Sequence, residues 1–163
     1  MLNVFWLIIW QFEYLVLSVV IMFLILATLI MIYIRIEIGK SNIPFRKMLP
    51  FHVPFSVYLG WITVATIANV SATLVSVGWN GFGIGPESWA ILTLAVALAI
   101  TVAVLITRKD IAYALVIIWA LAGIGVKQSQ NQTILSVVVI GILIVIGTSL
   151  FTIFTHWRKT KLT

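Results

Sequence analysis

The sequence predicts an all-α polytopic membrane protein: a bundle of five transmembrane helices with the N-terminus outside and the C-terminus in the cytoplasm. Three observations lead there. Of the 163 residues, 63% are hydrophobic and 9% charged, against about 25% charged in an average soluble domain. A chain this apolar cannot cover a water-facing surface, so the bilayer has to be part of its solvent. Five apolar stretches come close to or exceed the roughly 17–25 residues that span a hydrocarbon core. Finally, nine of the ten lysines and arginines fall on one side when those five stretches are threaded through a membrane.

The five helices are expected at about 5–35, 53–77, 88–107, 110–127 and 133–157, forming a single transmembrane domain. The first is longer than one span needs, and Gln11, Glu13 and Tyr14 interrupt it. Its spanning part is therefore Tyr14 to Ile34, and Leu2 to Phe12 makes an interfacial or tilted extension. It lacks a small-residue cleavage site and reads as a retained anchor rather than a signal peptide. The second helix carries Pro54 in its first turn, where a missing N–H costs nothing. The third is entered through Pro86-Glu87-Ser88, with Ser88 as N-cap. The fourth starts from Asp110 as N-cap and is short, so Lys127 at its end should snorkel. The fifth runs from Thr133 to Trp157.

Orientation follows from the basic residues alone. Arg35, Lys40, Arg46 and Lys47 flank the first connection, Arg108 and Lys109 form the third, and Arg158, Lys159 and Lys161 follow the last helix. Lys127 stands by itself on the opposite side. These nine mark the cytoplasmic face of a multi-pass cell-membrane protein, and the lipid bilayer is its first partner. The formal charge of +6 serves topology and is not the footprint of a nucleic-acid-binding protein. The absence of cysteine excludes disulfides, thiolate metal sites and iron–sulfur clusters.

Small residues mark candidate packing faces. Ala95, Ala99 and Ala103 recur every four residues on the third helix, a spacing that lets another backbone approach closely. That backbone belongs either to this chain or to another subunit. Gly60, Ala65, Ala68 and Ala72 give the second helix a similar surface, and Gly123, Gly125, Gly141 and Gly147 act less regularly.

The second helix is also the most polar, with Tyr58, Trp61, Thr63, Thr66, Asn69, Ser71 and Thr73. An amide inside a membrane must find a partner, because lipid offers none. Tyr58, Ala65 and Asn69 share one face, with Trp61 and Ala68 beside it. An aromatic, a small residue and an amide on one stripe suit a pocket for a flat, mostly apolar ligand. They equally suit an interhelical hydrogen bond.

The stretch Tyr58-Leu59-Gly60-Trp61-Ile62-Thr63-Val64-Ala65-Thr66-Ile67-Ala68-Asn69 resembles the last helix of the TspO/translocator family, the tryptophan-rich sensory proteins. Leu2-Asn3-Val4-Phe5-Trp6 is similar to that family's Leu-Asn-x-x-Trp at the end of its third helix, and Glu13 to Tyr33, with Thr28, resembles its fourth. The resemblance covers about residues 2–75 and implies that Tyr58, Trp61, Ala65 and Asn69 bind a ligand, with Trp61, Ala65 and Asn69 lining a pocket for tetrapyrroles or sterol-like molecules. The family's first two helices and their Trp-x-Pro-Pro loop have no counterpart, so Met1 is expected to begin within the third. Three further helices follow instead. Their Arg108 to Ala120 run is similar to an Arg-x-Asp-x-x-Tyr-x-Leu-Val-x-x-Trp-Ala segment of longer TspO-like prokaryotic proteins.

Other features carry less. His52 and His156 fall at the cytoplasmic face and could meet, but two histidines without a clustered carboxylate make a poor metal site. Glu13 sits near the outer boundary, where an acid is ordinarily solvated. The glycine-rich Gly78 to Pro86 segment lacks a P-loop ending, and Trp79, Phe82 and Trp89 mark it as an aromatic-belt turn. Asn131-Gln132-Thr133 is a glycosylation sequon held close to the headgroups. No catalytic triad, paired carboxylates or charged ladder is present, so neither an enzyme nor an ion pump is expected. Two functions remain: a TspO-like binder of a tetrapyrrole or lipid-like ligand, and a structural subunit that meets other membrane subunits or copies of itself.

Overall fold

The computed structural model describes residues 1–40 and 45–161, with side chains described for 1–40 and 50–155. It is all-helical among those residues: α1 (Leu2–Gln11), α2 (Leu15–Arg35), α3 (Phe45–Ser76), α4 (Pro86–Arg108), α5 (Ile111–Lys127) and α6 (Gln132–Lys161), with one 3-10 turn at Gly81–Gly83. Four helices are long and apolar enough to cross a membrane, namely α2, α3 from Pro50, α4, and α6 as far as Thr155. At 17 residues α5 lies at the lower limit for a span.

The expected first helix is two helices. The Glu13 N–H donates to the Trp10 carbonyl and the Tyr14 N–H to the Ile9 carbonyl, the paired bonds of a Schellman stop. Glu13 occupies the left-handed position at φ 60°, where glycine is usual. The same stop ends α2, with Glu37 at φ 52°, and ends α3 at Gly78, φ 67°. After the first stop α2 runs back along α1, and Asn3 Nδ2 donates to the Tyr58 hydroxyl of α3 at the exposed side of the bundle.

Other boundaries also move. α3 begins at Phe45, so Pro50 and Pro54 are both interior to it. Membrane helices tolerate such prolines where neighbours re-satisfy the freed carbonyls. α4 begins at Pro86 with Gly85 as N-cap, two residues before the expected Ser88, because proline's fixed φ suits the first helical position. α6 continues to Lys161. Asp110 caps α5, its side chain accepting the Tyr113 N–H at 3.1 Å.

The helices follow one another around the bundle in the order α1, α2, α3, α5, α6, α4. Each buries one stripe: Met22, Ile25, Leu29 and Tyr33 on α2; Leu94, Ala97, Thr101 and Leu105 on α4; Tyr113, Ile117 and Leu121 on α5. Opposite faces carry exposed Phe23, Leu24, Leu143 and Phe151, as expected where lipid replaces water. Burial against lipid supplies little driving force between helices, so close packing must hold the bundle together. Glycine provides it at three crossings, one of them α5–α6, where a Cβ at Gly125 would stand 3.3 Å from Val138. A Cβ at Gly60 would stand 3.2 Å from the Tyr113 carbonyl of α5, and one at Gly141 would stand 2.9 Å from Leu98 of α4. Gly123 and Gly147 face open space.

One end of the bundle gathers four of the five basic residues whose side chains are described. The Tyr33 hydroxyl donates to Asp110 Oδ2 at 2.8 Å, which joins the end of α2 to the α4–α5 turn. The Arg108 guanidinium stands 5.7 Å from the Tyr33 ring centroid. Gly39, at φ 77°, lies so close to the Arg108 carbonyl that a Cβ there would overlap it. Arg35, Lys40, Arg108 and Lys109 thus share one end, and Lys127 lies at the other.

Candidate functional site

The geometry separates the residues singled out on α3. Tyr58 is half-buried and bonded to Asn3 of α1. Asn69 is 3% exposed and faces α2, where its Oδ1 lies 3.0 Å from Ser18 Oγ. The Ser18 hydroxyl has one proton, and the Leu15 carbonyl is nearer at 2.6 Å, so the amide is only partly satisfied. Thr73 Oγ1 lies 3.5 Å from Asn69 Oδ1, and Asn69 Nδ2 is buried without a partner. Ala65 packs half-buried against the apolar core. Trp61 turns the other way and is 47% exposed, with its ring centroid 5.4 Å from that of Trp119 on α5. The four do not share one pocket.

A cavity of about 180 Å³ does open on the neighbouring face of α3. It exists because α4 leaves α3 after the loop at 77–85 and packs on α6, so α3 and α4 barely meet and α5 forms the floor between them. Val64, Ile67, Ala68 and Ser71 make one wall; Ala90, Thr93, Leu94 and Ala97 make the opposite one. Ile117, Ala120, Leu121 and Ile124 line the floor. Alanines at facing positions on three helices leave the space that larger side chains would fill. Gln128 and Ile134 close the end away from Arg35, Lys40, Arg108 and Lys109. Trp61 lies seven residues before Ala68, on the same helical face, so the Trp61–Trp119 pair sits below the cavity mouth.

Sequence reasoning placed Ala68 beside the candidate face but missed the contributions of α4 and α5. The alanines on α4 that line the cavity are Ala90 and Ala97, on the buried stripe. Ala95, Ala99 and Ala103 are all exposed on the opposite side, so they do not pack within this chain. Trp119, 65% exposed, is the tryptophan of the Arg108 to Ala120 run, a resemblance that marked the segment without pointing to a site.

The remaining candidates fall elsewhere. Glu13, Trp10, Gln11, Val16 and Ser76 border a separate open cleft of about 740 Å³ at the α1–α2 turn. In the α3–α4 loop, Trp79 packs against Phe82 and Trp89 at 5.2 and 4.7 Å, and Trp89 Nε1 donates to the Gly81 carbonyl at 2.9 Å. Asn131 caps α6 by accepting the Ile134 N–H at 3.0 Å. His52 is buried, and the His156 side chain lies outside the described residues. Among those residues no cluster of three potential metal ligands occurs. Trp6 Nε1 and Tyr113 Oη are buried without a hydrogen-bond partner.

No curated protein and no solved structure matches the chain. A family described as TSPO-like protein matches residues 1–152. That match reaches well beyond the resemblance over residues 2–75 and takes in α4, α5 and most of α6. An apolar helical bundle with this family's pattern along nearly its whole length is an integral membrane protein, and the chain belongs to the TSPO-like protein family.

Proposed function

We propose that this chain is a non-enzymatic, multi-pass protein of the cell membrane that takes an apolar ligand, tetrapyrrole or lipid-like, from within the bilayer for sensing or transport. The observation that carries the reading is the half-open, alanine-lined cavity between α3, α4 and α5. Its few polar groups and its position between helices suit a ligand-binding site. Of the four residues the family resemblance points to, Trp61 takes the ligand-facing role beside Trp119. Tyr58, Ala65 and Asn69 hold α3 against α1, α2 and the core. Five helices, α2 to α6, cross the bilayer in this reading. The end with Arg35, Lys40, Arg108 and Lys109 is cytoplasmic and the α1–α2 turn lies outside.

Tryptophan fluorescence of the purified protein in nanodiscs, titrated separately with protoporphyrin and with a fatty acid brominated along its chain, tests this. Saturable quenching by at least one of them is expected. Ala68→Phe, which fills the cavity mouth from an exposed position, should weaken that quenching at least tenfold. Absence of saturable quenching by both ligands, or an unchanged response in Ala68→Phe, overturns the reading.

A structural-subunit role has one observation in its favour. Ala95, Ala99 and Ala103 present a small-residue stripe to the lipid rather than to their own bundle, where a helix of another subunit or of a second copy could approach closely. A stable monomer in mild detergent, measured by light scattering, would rule it out.

A further inference from the structure

We propose that the cavity between α3, α4 and α5 holds one hydrocarbon chain of an anionic phospholipid from the leaflet at the Lys127 end, with the lipid phosphate at Lys127 and Gln128. This inference rests on the ligand-binding reading above and names the ligand class.

Size comes first. The cavity's 180 Å³ is near the roughly 150 Å³ of an apolar cavity that holds benzene. It is below the roughly 300–1,000 Å³ of pockets that enclose drug-sized molecules. The half-open space covers only an edge of a tetrapyrrole macrocycle, whereas it takes in a segment of one narrow chain. The space is elongated along the helices. On α3 it runs from Val64 to Ser71 and on α4 from Ala90 to Ala97, each about 10 Å at 1.5 Å per residue.

Polarity gives the chain a direction. Towards the middle of the bundle the lining is Val64, Ala97 and Ile117. The three polar lining residues, Ser71, Thr93 and Gln128, lie towards the end of α3, the start of α4 and the end of α5. Ser71 and Thr93 donate their protons to their own helices, to the Ile67 and Ala90 carbonyls, which leaves the Gln128 amide as the free donor at this end. Lys127, the exposed last residue of α5, adjoins it.

Affinity cannot come from the hydrophobic effect, because a chain leaving bulk lipid for an apolar cavity gains nothing from it. Selectivity has to come from the headgroup. Among the residues with described side chains, Lys127 is the one basic residue away from the end that carries Arg35, Lys40, Arg108 and Lys109, an exception to the charge asymmetry that a phosphate ligand accounts for.

Native mass spectrometry of the detergent-purified protein, incubated with phosphatidylglycerol, phosphatidylcholine or inorganic phosphate, reads the occupancy. One phosphatidylglycerol per chain should be retained in preference to phosphatidylcholine, and inorganic phosphate alone should not bind. Lys127→Gln, a surface change that spares the fold, should reduce phosphatidylglycerol occupancy about fivefold, to the level of phosphatidylcholine. Ala68→Phe should remove both lipids. Equal retention of the two lipids by the unaltered protein, an unchanged preference in Lys127→Gln, or lipid retained by Ala68→Phe overturns the inference. Binding of inorganic phosphate with no lipid retained also overturns it. The quenching titration run on the same preparations separates the two ideas. If Ala68→Phe abolishes quenching but not lipid retention, the ligand-binding reading stands and this inference fails. If it changes neither, both fail.

Discussion

The Tyr33 hydroxyl donates to Asp110 Oδ2 at 2.8 Å, while Asp110 Oδ1 accepts the Tyr113 N–H at 3.1 Å. One buried carboxylate therefore caps α5 and ties it to the end of α2. Arg108 over the Tyr33 ring and Gly39 against the Arg108 carbonyl complete a joint at which two turns meet. This joint fixes where α5 enters the bundle, and with it the floor of the cavity.

Removing that hydroxyl should loosen the joint. Tyr33→Phe is expected to cost about 1.5–3 kcal/mol, the range for a hydrogen bond to a charged acceptor. Asp110→Ala should cost more, because it also removes the helix cap, worth about 1 kcal/mol, and orphans the Tyr33 hydroxyl. Thermal unfolding in detergent, followed by circular dichroism, reads the order. Equal midpoints for the two variants would contradict the shared role.

Glu13 holds a left-handed backbone position that costs an L-residue roughly 1–2 kcal/mol, and it places a negative charge at a helix C-terminus. Glu13→Gly should therefore raise stability by about 1 kcal/mol, partly offset by the freedom glycine has when unfolded. A lowered unfolding midpoint would show instead that the carboxylate makes a contact worth more than the strain.

Asn69 and Trp61 should separate stability from binding. Asn69→Leu removes a clasp between α2 and α3, and interhelical polar contacts in membranes average about 0.6 kcal/mol and reach about 1.7. A loss in that range with ligand quenching unchanged is expected. Trp61→Phe should leave the unfolding midpoint within about 0.5 kcal/mol and reduce quenching. The opposite pattern would return Asn69 to the ligand site.

The cysteine-free sequence allows a clean topology test. In sealed, oriented vesicles, a membrane-impermeant maleimide should reach Lys109→Cys only from the cytoplasmic side and Ser129→Cys only from the outside. Labelling of both from one side would remove α5 from the set of spanning helices.

The membrane class and most helices were legible because apolar length and basic-residue asymmetry are strong, additive signals. The break at Glu13 was not, since a glutamate stands where the Schellman stop ordinarily shows a glycine. The reach of α3 back to Phe45 was hidden by Pro50 and Pro54, which read as boundaries. The alanine stripe shows the limit of spacing alone. Ala95, Ala99 and Ala103 recur at the right interval yet lie about 120–160° around the helix from Ala97 at 100° per residue, and only the placement of α6 decides which face is buried. The cavity could not be read from α3 because two of its three sides belong to helices that resemblance and polarity left in the background.

The central claim is that an apolar ligand occupies the space between α3, α4 and α5 rather than the lipid-facing surface at large. A phospholipid carrying a photoactivatable group along its chain, cross-linked in nanodiscs and mapped by peptide mass spectrometry, tests it directly. Adducts should concentrate on 64–71, 90–97 and 117–128 and diminish with excess unlabelled lipid of the same class. Adducts spread over the exposed faces of α2 and α6, at Phe23, Leu24, Leu143 and Phe151, and indifferent to that competitor would contradict the account.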